Sequence, residues 1–106
     1  MAADNKPETT EDLLYVARLA IRANRTSLFD GEIKDLISAA RAELTEIGIL
    51  PSKVENDKDP LIRRAIILYV KAEFGLDNPD AARYRESFDL LKRHLALASD
   101  YIEEES

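Results

Sequence analysis

The chain has 106 residues, no cysteine and a formal net charge of −6, a length that makes one domain with a single core. The missing thiols exclude disulfides and thiolate metal sites, and the acidic balance argues against a general nucleic-acid binder, which is normally basic. The same charge leaves the surface open to a basic partner.

Residues 1–8 are polar and read as a flexible N-terminus without the pattern of a secretory signal. Thr9 and Asp12 have the spacing of a capping box, and Leu13, Val16, Ala17, Ala20 and Ile21 then recur on one helical face. Arg18, Arg22 and Arg25, spaced four and three, align on another side of that helix. They form a candidate contact stripe for phosphate or for an acidic protein surface, set against the simpler reading of a solvated face. Asn24 to Ser27 reads as a loop.

Asp30 is placed to cap a second helix, whose apolar stripe is Ile33, Leu36, Ile37, Ala40, Leu44 and Ile47. Gly48 ends it, and Ile49 can fold back on Leu44 as in a Schellman cap. Residues 50–58 read as a polar connection. The run from Glu55 to Asp59 invites a calcium-loop reading, but Leu61 and Ile62 stand where a ligand oxygen and the turn glycine are needed. It is read instead as a solvated acidic loop ending in an N-cap.

Asp59 and Pro60 open, and Gly75 closes, a helix that is apolar around nearly its whole circumference. Only Arg63, Glu73 and the pair Arg64 and Lys71 interrupt it with charge. Such a helix belongs at the centre, with the others wrapped round it. It is too short for a bilayer, which takes about 20 apolar residues, so no membrane role is expected.

Asn78 and Pro79 start a last helix expected to run to about residue 102. Tyr84, Phe88, Leu91, Leu95, Ala98 and Ile102 make a heptad stripe suited to near-parallel packing. A second stripe, Leu90, His94, Leu97 and Tyr101, lies about 110° round the same helix. Two stripes exceed what one small core needs, so the second is a candidate interface with another subunit or an obligate partner. The predicted fold is all-α: a four-helix small domain over residues 9–102, with a central buried helix, a long C-terminal helix and an acidic tail at 103–106.

Catalytic patterns are thin. One histidine and no cysteine supply neither a nucleophile with its base nor a two-histidine metal motif, and three scattered glycines make no phosphate loop. No catalytic, cofactor-binding or metal site is predicted, and His94 is read as structural.

Three segments together resemble one family: LFDGEIKDLISAARAELTEIGI at 28–49, DPLIRRAIILYVKAEFG at 59–75 and DNPDAARYRESFDLLKRHLALASDY at 77–101. They are similar to the second, core and last helices of the tailed-phage head–tail connector, or adaptor, often labelled a DNA-packaging protein. The resemblance implies a helical structural protein with no catalytic site and no cofactor. It implies a closed ring of about twelve copies. That ring would dock beneath the portal protein after packaging, extend the DNA channel without specific binding, and present a platform for the next connector or stopper. It places the protein in the virion at the head–tail junction, and in the host cytoplasm during assembly. Residues 1–27 match less clearly, so the arginine stripe draws little from the family. The rival readings are a free-standing helical interaction or regulatory module, and a helix-turn-helix, whose short turn the connection of about ten residues is too long to form.

Overall fold

The computed structural model describes residues 10–23, 26–75 and 78–103. Among these the chain is all helical: α1 (Thr10–Ala20), α2 (Asp30–Glu46), α3 (Pro51–Val54), α4 (Pro60–Glu73), α5 (Ala81–Ala96) and α6 (Ser99–Ile102). Thr9 of the expected capping box lies outside the described residues, as do residues 1–8 and most of the acidic tail.

Helix α4 starts as its sequence dictates. Asp59 accepts hydrogen bonds from the Leu61 and Ile62 amides at 2.9 and 3.3 Å, and Pro60 occupies the first turn. Helices α1, α2 and α5 all pack against α4. Its Ile62, Ala65, Ile66, Tyr69 and Val70 are buried with Leu13, Ile37, Leu44, Phe88 and Leu95 in one core. Tyr69 and Phe88 meet edge to face, with ring centroids 5.2 Å apart. The wrapping is incomplete, however. Ile67 and Leu68 are only partly buried and Arg64 is exposed, so one side of the central helix stays open. The Cα trace measures 43 × 42 × 17 Å, a slab about two helices thick given a helix diameter of about 10 Å.

Helix α2 ends in a full Schellman motif: Gly48 takes φ 103°, its amide reaches Thr45 O at 3.0 Å, and the Ile49 amide reaches Leu44 O at 3.2 Å. Its start differs from expectation. Phe29 is the N-cap and Asp30 is the first helical residue, because Arg18 of α1 holds the Asp30 carboxylate. The expected polar connection contains a helical turn, α3, started by extended Leu50 and by Pro51. It buries Val54, and Arg41 of α2 ties it down through Val54 O and Asp57, both at 2.7 Å.

The last helix is shorter than its heptad pattern suggested. Asp80 caps α5, while Asn78 forms a turn onto the Asp80 amide and donates to Lys71 O at 2.8 Å, fastening the end of α4. Helix α5 stops at Ala96, Ala98 is extended, and α6 turns Tyr101 and Ile102 back against the core. The Leu50 amide donates to Tyr101 O at 2.9 Å, joining the two one-turn helices.

Candidate functional site

The outer face of α5 exposes three of the four residues expected at an interface, Leu90, His94 and Leu97. Core-facing Phe88 and Leu95 are fully buried, whereas Leu90 is 55% and Leu97 86% exposed, with His94 exposed between them. Arg83, Ser87, Leu90, His94 and Leu97 follow at spacings of four and three, one line along the helix. Tyr101 is not on it. The break after Ala96 turns it inward, and its hydroxyl donates to the Asp59 carboxylate at 3.0 Å. Burial first, and then the hydrogen bond to Asp59, push the Tyr101 phenol above its ordinary range. Tyr101 therefore locks α6 to the α4 cap and takes no part in an outward stripe with Leu90 and Leu97.

The arginine stripe also divides. The Arg18 guanidinium grips Asp30 in a two-pronged ion pair, with Nε to Oδ1 at 2.8 Å. The hydrogen bond from Arg18 holds the Asp30 carboxyl below its usual range. Arg22 lies beyond the end of α1 at φ 65°, in a left-handed cap closed by the Ala23 amide on Arg18 O at 2.8 Å. That cap rotates Arg22 away from the helical line through Arg18. Arg25 lies outside the described residues.

A feature that sequence reading missed is a groove of about 730 Å³ on the open side of α4. Ile67 and Leu68 form its floor, Val16 of α1 one wall, and Tyr84 and Ser87 of α5 the other. Lys58, Arg63, Arg64, Lys71 and Arg83 line it, with no acidic residue among the described lining. The Lys71 ammonium stands 4.4 Å from the Tyr84 ring centroid, and the Arg83 guanidinium 5.0 Å, holding two cations at the wall. Arg83 also pairs with Asp80 at 3.3 Å. The available signal was the Arg64–Lys71 stripe interrupting an otherwise apolar helix, but which neighbours would leave that stripe uncovered was not legible.

The acidic charge gathers elsewhere. Glu43 of α2 takes Lys92 at 3.1 Å and Arg85 at 3.3 Å, and Arg85 also reaches Glu73 at 2.9 Å, which ties α2, α4 and α5 together. Glu32, Asp35 and Glu46 stand exposed on the outer face of α2. Among the described residues no group of three His, Asp or Glu side chains could hold a metal ion. No described helix is long and apolar enough to cross a membrane. The described surface presents exposed leucines, a basic groove with an apolar floor, and exposed carboxylates on α2.

No curated protein and no solved structure matches this chain. A family model described as phage connector protein matches residues 16–102, from the middle of α1 to the end of α6. That span takes in α4, the groove and the exposed line on α5, so the chain belongs to the phage connector protein family and is a structural component of a phage virion.

Proposed function

We propose that copies of this chain form a closed ring at the head–tail junction, docked beneath the portal protein once DNA is packaged. The ring continues the DNA channel and offers its far side to the next connector or stopper. The observation that carries this reading is the family match over residues 16–102, joined to a surface that exposes Leu90 and Leu97 beside charged side chains. An apolar centre with a polar rim is the make-up of a protein contact. A connector of this kind works as a structural part rather than as an enzyme, and passes DNA without reading its sequence. The net charge of −6 supports a channel that lets the duplex slide.

Mass photometry and negative-stain microscopy, with and without the cognate portal, test the reading. A ring in either condition is the expected result. A protein that stays monomeric with the portal present, and does not bind it, overturns the connector role and favours the free-standing interaction module.

A further inference from the structure

We infer that the basic groove of one copy receives the acidic outer face of α2 from a second copy, in a head-to-tail contact. The inference rests on the connector reading, in which copies stand side by side, and it names the surfaces that meet.

The two surfaces lie on opposite sides of α4. Arg63, Arg64, Ile67, Leu68 and Lys71 face the groove, while Ile62, Ala65, Ile66, Tyr69 and Val70 are buried on the other side of the same helix. Helix α2 packs against α4 and buries Ile33, Ile37, Ala40 and Leu44. Glu32 and Asp35, on the opposite side of α2, therefore look away from α4, and both are exposed, as is Leu28 in the turn that leads into the helix. The groove side of α4 thus carries Arg64 and Lys71, and the side beyond α2 carries Glu32 and Asp35.

This division decides how copies can meet. A two-fold symmetric contact sets each patch against itself, so cations would face cations or carboxylates would face carboxylates. A head-to-tail contact sets the groove against the α2 face and joins opposite charges. Such a contact builds a ring where its rotation closes, as the connector reading requires, and an open filament where it does not. The apolar parts agree: Leu28, 77% exposed in the turn before α2, offers an apolar side chain to the Ile67–Leu68 floor between Arg64 and Lys71. Leu90 and Leu97 extend the same surface along α5 beyond Ser87.

The absence of cysteine from the sequence makes disulfide trapping a clean test. Gly31→Cys marks the α2 face, where a Cβ at Gly31 meets nothing within 4 Å, and Ser87→Cys marks the groove wall. The two single-cysteine proteins are mixed in a glutathione redox buffer. The mixed disulfide should exceed the two homodisulfides by about tenfold, equivalent to about 1.4 kcal/mol of preferred contact. Arg64→Glu with Lys71→Glu in the Ser87→Cys copy should return the yield to random pairing. Glu32→Lys with Asp35→Lys in the Gly31→Cys copy should then restore the preference. Random pairing in the parent proteins, or a preference that ignores the charge reversals, overturns the inference. If random pairing comes with low-salt duplex binding that Arg64→Glu with Lys71→Glu abolishes, the groove is a phosphate site instead. Rings that form while pairing stays random sink this contact alone, whereas selective pairing without any ring or portal binding sinks the connector reading.

Discussion

Leu97 gives the sharpest test of the division between folding and assembly. It caps α5 and is 86% exposed, so it adds little to the monomer's own core. Covering a leucine fully is worth about 1.5–3 kcal/mol, so losing it from a contact should weaken association roughly 10- to 100-fold. Leu97→Asp goes further, because an unpaired carboxylate must also be stripped of water when the contact closes. A carboxylate at a helix C-terminus opposes the macrodipole by up to about 1 kcal/mol, whereas a lysine there is favourable. Leu97→Lys therefore separates the two effects: both variants should lose assembly, and only Leu97→Asp should melt slightly earlier. For a chain of this length 1 kcal/mol moves the melting temperature by about 4–8 °C. Thermal melts followed by circular dichroism check the fold, and sedimentation with and without portal checks assembly. Two folded variants that assemble like the parent would refute the reasoning. Unfolding of both would mean that Leu97 belongs to the core after all.

Four other outcomes follow from the packing. Ile66→Ala, at a fully buried position of α4, should cost about 2–5 kcal/mol in chemical denaturation, and a loss in the range of ordinary surface changes, about 0.5 kcal/mol, would contradict a central α4. Asp57→Ala removes the buried carboxylate from Arg41 but leaves it Val54 O at 2.7 Å and Glu55 at 4.0 Å, so it should cost about 1–3 kcal/mol by the same measurement; a negligible loss would mean that the pair does not anchor α3. Arg22→Gly relieves a left-handed residue and should stabilise by about 1 kcal/mol, while destabilisation would show that the Arg22 side chain has a structural partner. The Asp30 carboxyl titrates below its usual range when folded, so its contribution is complete above the ordinary carboxylate range and is lost as pH falls through the lowered value. Asp30→Asn should flatten that acid limb in denaturation midpoints taken against pH, and an unchanged profile would remove Arg18 as the cause.

Much of the fold was legible wherever a signal is local. The Asp59-Pro60 start of α4 and the Gly48-Ile49 stop of α2 involve groups within six residues of one another, and side-chain chemistry alone dictates those geometries. The break after Ala96 was not legible. No glycine or proline marks it, and the heptad pattern runs straight through it to Ile102. The break follows from bonds that Tyr101 makes across 42 residues to Asp59 and from its carbonyl to Leu50, partners that no spacing rule connects. Arg18 likewise read as part of an outward stripe, since nothing near it in sequence announces Asp30.

The candidate surfaces divide along the same line. Periodicity on α5 placed Leu90, His94 and Leu97 on one outward line, because helical geometry alone decides which residues share a face. The sequence by itself thus determined an all-helical domain, its central helix and a surplus of apolar surface. Only the tertiary structure decided where that surplus opens. Helices α1, α2 and α5 gather against α4 without closing its Ile67–Leu68 side, and α5 then brings Tyr84 and Arg83 to meet Lys71. The physical reason is that burial is a property of the assembled layers. A helix apolar all round shows which residues can be covered, and its neighbours determine which ones are.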